Sequence, residues 1–193
     1  MELSERQKQI INVSMQLIAD KGIQSLTIKN ISKNVGISEP AIYRHFDSKT
    51  EILLSILEMF IENNKKIFTD KIAENESIET VINILFDNFI KTFSEYPTLI
   101  SIVFSEEIFR NDVVFKEKTK AIIENNYNII TGLIKKMQQK GQINKDFDPK
   151  SLTTVILGSL RLCIKRWQMF NYDFDLKTEG NKLKNTIVQL LVN

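Results

Sequence analysis

Apolar residues recur at three- and four-residue steps along the chain, and this pattern predicts helices from end to end. The first stretch, from about Ser4 to Lys21, carries an apolar stripe and stops at Gly22, a residue that suits the turn at a helix end. No run alternates apolar and polar residues in the way that a strand does. The fold is therefore predicted to be all-α.

Residues 27 to 49 predict two short helices joined by a sharp turn. Thr27 is placed to cap the first helix, Gly36 to end it, Ser38 to cap the second, and Pro40 to occupy its first turn. The residues of the second helix that can pack inward are Ala41, Ile42 and Phe46. Because so short a helix is unstable alone, its neighbours must orient it. A helix-turn-helix presents its recognition helix to the major groove in this way.

The segment GISEPAIYRHFDSK resembles the recognition-helix segment of the tetracycline-repressor-like (TetR) family of bacterial transcription regulators. The family pattern is a turn of Gly, an apolar residue and Ser, then Leu/Ile-Tyr-x-His/Tyr-Phe, then x-x-Lys. The matching positions are Gly36, Ile37, Ser38, Ile42, Tyr43, His45, Phe46 and Lys49. The resemblance covers about the first quarter of the chain. Ser32 and Val35 stand where the family commonly has Ala, and Pro40 where it often has Gly, but no predicted DNA-facing group is lost.

The resemblance implies a homodimeric repressor whose two recognition helices enter successive major grooves of a near-palindromic, double-stranded operator. The residues expected to hold phosphates are Thr27, Ser38, Tyr43, His45 and Lys49. The residues expected to face base edges are Glu39, Pro40 and Arg44. Arg44 is the first choice for a guanine contact, with a phosphate contact as the alternative.

Ser48 and Glu51 have the spacing of a capping box and predict a helix that runs to about Glu74. Lys49 lies in its first turn, where the ammonium and the positive helix end together favour a phosphate. We therefore expect a helix-turn-helix DNA-binding domain over residues 1–48. A helical ligand-binding and dimerisation domain is expected over residues 49–193, with this long helix joining the two.

The rest of the chain predicts a bundle of long helices. Their expected ranges are 77–95, 97–109, 112–140, 149–171 and 178–192. Pro97 and Pro149 stand at helix entries, the second behind a capping Asp148, and Gly141 closes the longest helix.

Members of the family often hold a small-molecule effector inside this bundle, and the aromatic residues here would suit an apolar or planar one. The candidate ligand-binding residues are Phe86, Phe89, Phe93, Phe104, Asn125, Tyr127, Arg161 and Trp167. For the aromatic residues, a place in the ordinary core is the alternative.

In this family the last two helices pair with their copies in a dimer. The candidate interface residues are Thr154, Gly158, Leu183, Ile187 and Leu191. Gly158 costs its helix roughly 1 kcal/mol relative to alanine, which a close helix approach would explain. Internal core is again the alternative for these residues.

The net charge of +2 excludes a generally polybasic protein, although residues 1–50 hold seven Lys/Arg against five acids. One cysteine and the lack of a secretory or membrane-spanning run predict a cytoplasmic protein. His45 is the only histidine, so neither a His-based triad nor a His-rich metal site is expected, and no nucleotide-binding glycine pattern occurs. We predict no enzyme activity and no cofactor.

Two other functions remain open at this stage. A DNA-bound platform that recruits or is controlled by a protein partner would show an exposed apolar patch and lack a cavity. A helical ligand carrier or enzyme with a look-alike helical corner would bind no DNA.

Overall fold

The computed structural model describes residues 3–71, 77–105 and 112–191, with residues 61–71 described by their helical backbone. Nine α-helices and one 3₁₀ turn lie in these ranges, and the all-α prediction is confirmed. The 3₁₀ turn, Ile23–Ser25, follows the first helix. The helices are α1 Glu5–Lys21, α2 Ile28–Val35, α3 Glu39–Tyr43, α4 Lys49–Lys71, α5 Ile78–Glu95, α6 Thr98–Val103, α7 Val113–Gln139, α8 Pro149–Met169 and α9 Leu176–Leu191.

Most helix ends fall within two residues of their predicted positions where the chain is described. The helix predicted over residues 97–109 is shorter, because α6 ends at Val103 and Phe104 leaves the helix with ψ of 19°. Three of its six residues are β-branched isoleucine or valine, which lowers helix propensity. The expected end of α4 at Glu74, like residues 106–109, lies outside the described residues.

Two compact units make up the chain. The first comprises residues 1–63 and 97–119, and the second comprises residues 64–96 and 120–193. The first unit thus includes α6 and the beginning of α7 as well as α1–α3, and α4 and α7 each contribute residues to both units. The functional division at residue 48 stays a prediction.

In the first unit, α1 contacts α2, the 3₁₀ turn and α6, and α2 contacts α3. The apolar side chains of its first four helices and their connections that are at most 5% exposed are Ile10, Ile11, Leu17, Ile18, Leu26, Ile31, Ile42, Phe46, Ile52, Leu53, Ile56 and Leu57. Burial of each such side chain contributes roughly 1.5–3 kcal/mol to the stability of the fold. This burial is how the 3₁₀ turn, α2 and α3, which are short, can hold a fixed geometry.

In the second unit, α9 packs on α5 and α8. The approach of α9 to α5 is close at Gly180, where a methyl group would lie 2.1 Å from Cδ1 of Ile90. A methyl group on Gly158 of α8, by contrast, would meet no atom of the chain within 4 Å. The close helix approach within the chain is therefore made by Gly180, which the sequence analysis did not single out.

Carboxylates cap the last two helices. Asp148 accepts a hydrogen bond from the amide of Ser151 at 2.8 Å, as predicted, and Asp175 accepts one from the amide of Thr178 at 2.5 Å. The pKa of Asp148 is lowered by hydrogen bonds from the amide and side chain of Ser151, and that of Asp175 by hydrogen bonds from the side chain and amide of Thr178, because these bonds favour the charged form. Gly141 ends α7 with a φ of +74°, a left-handed conformation that glycine adopts without a steric penalty.

Candidate nucleic-acid interface

Two residues predicted from the sequence bound α2, one at each end. Thr27 caps α2, since its Oγ1 accepts a hydrogen bond from the amide of Asn30 at 3.1 Å. Gly36 ends the helix in the left-handed region with φ of +79°, and its amide donates to the carbonyl of Ser32 at 2.9 Å. A side chain at position 36 would meet no atom within 4 Å, so the backbone conformation, and not space, demands glycine there.

Ser38 stands at the N-cap of α3 in extended conformation, but its hydroxyl makes no capping hydrogen bond, which corrects the prediction that it caps the helix. The first turn is closed through its backbone, because the carbonyl of Ser38 accepts from the amides of Ala41 and Ile42 at 2.9 and 3.2 Å. Pro40 has no amide to satisfy. The exposed Ser38 hydroxyl is thus not engaged by the helix that it precedes.

The side chains of α3 and the residues after it divide into two sets. Ile42 is fully buried and Phe46 is 2% exposed, and these two anchor the segment. Ala41 and His45 are half-buried. The predicted contacts whose side chains are exposed are Thr27, Ser38, Glu39, Pro40, Tyr43, Arg44 and Lys49. Each predicted DNA contact therefore has at least part of its side chain at the surface.

A hydrogen bond from α1 fixes the end of the α3 segment. Gln7 Nε2 donates to the carbonyl of His45 at 3.2 Å, while Gln7 Oε1 accepts from the amide of Ser4 at 3.0 Å in a capping box. This role of Gln7 was not predicted from the sequence. The Ser4-x-x-Gln7 spacing is visible in the sequence as a helix start, but nothing local points to a carbonyl 38 residues away.

The beginning of α4 lies directly after this segment. Ser48 Oγ accepts from the amide of Glu51 at 3.2 Å, as the predicted capping box requires. The Glu51 carboxylate accepts from the amide of Asp47, however, and not from that of Ser48. The exposed Lys49 thus begins a helix whose first turn is held by side chains on both sides of it.

A contact from a distant part of the first unit also reaches this turn. The Thr50 hydroxyl donates to Oδ2 of Asp112, and Oδ1 of Asp112 accepts from the amide of Phe115 at 2.9 Å. Both oxygens of one carboxylate are therefore used, one to cap α7 and one to hold α4. No local pattern predicts this pairing, because the two residues are 62 positions apart.

The candidate effector residues have mixed environments. In α5, Phe86 and Phe93 are buried and Phe89 is half-buried, with the Phe89 and Phe93 ring centroids 6.2 Å apart. Tyr127 donates its hydroxyl to the carbonyl of Lys150 at 2.7 Å, and Trp167 donates its indole N–H to that of Phe174 at 2.8 Å. The polar groups of these last two residues thus hold the fold together.

The remaining effector candidates are less enclosed. Phe104 is half-buried at the end of α6, in the first unit. Asn125 in α7 and Arg161 in α8 are exposed. The roles of all these residues in effector binding stay predictions.

The candidate dimer residues also differ in exposure. Thr154 and Gly158 are exposed on α8, Leu183 is half-buried, and Ile187 and Leu191 are buried within the chain itself. The sequence analysis missed a row of exposed apolar side chains on α8, which a seven-residue spacing could have revealed. The row, with its exposed fractions, is Val155 (53%), Leu162 (61%) and Met169 (71%).

Within the described ranges, no group of three or more His, Cys, Asp or Glu residues could hold a metal ion. No helix in that part of the chain is both long enough and apolar enough to span a membrane. Cys163 is buried, and desolvation raises the pKa of its thiol, which disfavours the reactive thiolate.

Comparison with known protein families accounts for the whole length from residue 10 onward. The model of bacterial regulatory proteins of the tetR family matches residues 10–56. The model of the C-terminal region of YsiA-like proteins matches residues 55–193, which is more than half of the chain. The two matches meet within α4.

Among curated proteins, the chain is 25% identical to the fatty acid metabolism regulator protein of Bacillus subtilis (strain 168), over 96% of this chain and 93% of that protein. It is 22% identical to the HTH-type transcriptional regulator AcrR of Shigella flexneri, over 93% and 86%. Among solved structures, the fatty acid degradation regulator FadR of Bacillus halodurans superposes with a TM-score of 0.79 at 23% identity, covering 100% of this chain and 97% of the other. FadR of Bacillus subtilis, solved in complex with stearoyl-CoA, gives 0.81 at 21% identity, covering 95% and 98%. These superpositions show a shared fold.

Proposed function

Since this chain belongs to the tetR family of bacterial regulatory proteins and carries a YsiA-like C-terminal region, it is a DNA-binding transcriptional regulator, and we propose that it acts as a homodimeric repressor released by a long-chain acyl-CoA. The DNA-binding part of this proposal rests on which side chains of α3 and of the residues after it are buried and which are exposed. Ile42 and Phe46 are buried, while Glu39, Tyr43 and Arg44 are turned to the surface. A helix held from behind with polar groups in front is suited to enter a major groove.

Two kinds of DNA contact follow from the exposed residues. Arg44 is proposed to donate two hydrogen bonds to a guanine edge, with Glu39 and Pro40 beside it in the groove. Thr27, Ser38, Tyr43 and His45 are proposed to hold phosphates and fix the register. The Ser38 hydroxyl supports this division, because it makes no capping bond that DNA binding would have to break.

Lys49 is proposed as a phosphate clamp. Its ammonium stands in the first turn of α4, a helix of 23 residues whose N-terminal amides carry partial positive charge. An exposed lysine at such a helix end attracts an anion by both effects. Lys49 adds affinity without reading bases, since phosphates are the same at every sequence.

The proposal of a homodimer rests on α8. Val155, Leu162 and Met169 lie seven residues apart on one side of this helix and are more than half exposed, as is Leu190 on α9. Exposed apolar rows of this kind mark protein interfaces. Gly158 offers open space on the same helix, so a second copy could approach its backbone closely.

The proposed effector class comes from the relatives together with the second unit. One similar protein is a fatty acid metabolism regulator, and one solved structure of the same fold holds stearoyl-CoA. A fatty acyl chain needs apolar walls, and α5 supplies Phe86, Phe89 and Phe93. Release requires that the acyl-CoA bind more tightly to a state that does not bind DNA.

The test begins with selection of genomic fragments on the purified protein, followed by sequencing. We expect a shared near-palindromic site with half-sites one helical turn or a multiple of it apart. Absence of any enriched sequence would contradict specific DNA reading. Stearoyl-CoA should then weaken binding to the selected site, whereas coenzyme A alone should not, and an unchanged affinity would reject the effector class alone.

A further inference from the structure

The contact between Thr50 and Asp112 joins two helices beside the proposed phosphate clamp. Thr50 follows Lys49 in the first turn of α4, and its hydroxyl donates to Oδ2 of Asp112. Asp112 directly precedes α7 and belongs to the same unit. Both side chains are half-buried, so water competes less for this bond than for one on the open surface.

Asp112 is itself held firmly by α7. Its Oδ1 accepts from the amide of Phe115 at 2.9 Å, and its carbonyl accepts from the amide of Lys116 at 3.0 Å. Phe115, the residue that receives this cap, is fully buried. The carboxylate is therefore a fixed acceptor, and it can constrain the Thr50 side chain and the turn of α4 that carries it.

We propose that Asp112 is a positioning residue for DNA binding, acting through Thr50 to hold the first turn of α4, and with it Lys49, where a phosphate is met. The proposal rests on the phosphate role of Lys49 given above. It adds that the residue preceding α7, far from α3 in sequence, sets the strength of the DNA contact. Thr50 itself need not touch DNA.

A second contact between the same two helices serves as a control. Lys118 of α7 and Glu58 of α4 form an ion pair at 3.6 Å, in which each side chain is 54% exposed. Exposed pairs of this kind contribute little, because water and salt screen them. Glu58 also lies more than two helical turns beyond Lys49.

The experiment measures operator affinity, by fluorescence anisotropy over a range of salt concentrations, for Thr50→Val, Thr50→Ser and Glu58→Gln. Valine keeps the shape of threonine but cannot donate. We expect Thr50→Val to weaken binding roughly threefold to tenfold, the range of one net hydrogen bond. Thr50→Ser and Glu58→Gln should stay close to the parent protein. Circular dichroism melts set a temperature at which every variant is folded.

The same substitutions in a Lys49→Ala background separate positioning from general loosening. If Thr50 acts through Lys49, adding Thr50→Val to Lys49→Ala should reduce the operator affinity almost no further. None of the three substitutions should then change the salt dependence that remains in the Lys49→Ala protein. An equal loss in both backgrounds would overturn the inference, as would full affinity in a folded Thr50→Val variant. If the parent protein binds no duplex at all, the proposed DNA-reading function fails instead.

Discussion

The helices α1–α3 and the pair α8–α9 both expose a row of side chains, but the two rows have opposite chemistry. On α3 and at Arg44, which follows it, the exposed row is mostly polar, with the apolar Ile42 turned inward. On α8 it is apolar, formed by Val155, Leu162 and Met169. A polar row is stable in water and can exchange water for phosphates and bases, whereas an apolar row gains free energy only when another surface covers it. One chain therefore carries a surface suited to nucleic acid and another suited to a second copy.

The two regions also differ in how their helices begin. Hydroxyls cap α1 and α2, through Ser4 and Thr27, whereas carboxylates cap α8 and α9, through Asp148 and Asp175. A hydroxyl keeps its hydrogen bond at any ordinary pH, but a carboxylate loses charge in acid. The difference makes the second region the more acid-sensitive of the two at its helix ends.

The largest expected effect concerns the apolar row. Leu162→Glu would place a charge in the proposed interface of both copies, at a cost of about 3–5 kcal/mol when it lacks a partner. Sedimentation should show a dimer for the parent protein and a monomer for this variant at micromolar concentration. Ile129→Glu, on an exposed apolar residue of α7, is the matched control and should remain dimeric. A Leu162→Glu dimer of undiminished strength would remove α8 from the interface.

The next effect tests the polar row by comparing Arg44→Ala with Lys49→Ala. Loss of a bidentate guanine contact should cost about 1–3 kcal/mol and relax the preference at one base position. Lys49→Ala should weaken operator and random DNA alike and reduce the salt slope by about one. Lys145→Ala, an exposed lysine of the second unit, should change neither quantity. Equal losses on both kinds of DNA for both variants would contradict the division into a base reader and a phosphate clamp.

The smallest effect concerns the caps. The folded-state pKa values of Asp148 and Asp175 are lowered, because their carboxylates accept hydrogen bonds at the helix starts. Their contribution is thus fully present above the unfolded pKa of about 4 and is lost as the pH falls through the folded value. A variant that combines Asp148→Asn with Asp175→Asn should lose less of its free energy of unfolding than the parent protein between pH 7 and pH 3, since asparagine caps without titrating. Denaturant unfolding at a series of pH values measures this difference.

Thr27 provides the comparison for this effect. Thr27→Ala should lower the stability by about 0.5–2 kcal/mol equally across that pH range, because the lost cap is neutral. The proposed difference in acid sensitivity between the two regions would be contradicted if the stability lost in Thr27→Ala varied with pH. It would also be contradicted if the double asparagine variant lost as much stability in acid as the parent protein.

Features confined to a few neighbouring residues could be predicted from the sequence. The cap at Thr27, the left-handed end at Gly36, and Asp148 with Pro149 at the start of α8 all appear as expected. Each depends on the dihedral preference or the hydrogen-bonding reach of one side chain along its own backbone. The all-α architecture follows from the same local signals repeated along the chain.

Features that join distant residues could not be predicted. The bond from Gln7 to the carbonyl of His45 and that from Thr50 to Asp112 depend on how helices cross. Periodicity shows which face of a helix is buried but not what lies opposite. For the same reason the sequence predicted a close helix approach at Gly158, although Gly180 is the glycine that lies against another helix within the chain. Roles of individual residues at the DNA and effector sites stay predictions.

The contact at Gly180 also limits how the second unit can deform. Ile90 fills the space that a side chain at position 180 would need, and Leu176 and Lys184 lie one helical turn to either side of Gly180 on the same face of α9. Sliding α9 along α5 by one turn would bring one of these larger side chains onto Ile90, which a close-packed interior accommodates poorly. A slide of α9 along α5 is therefore costly, and we expect these two helices to move together in any rearrangement of the second unit.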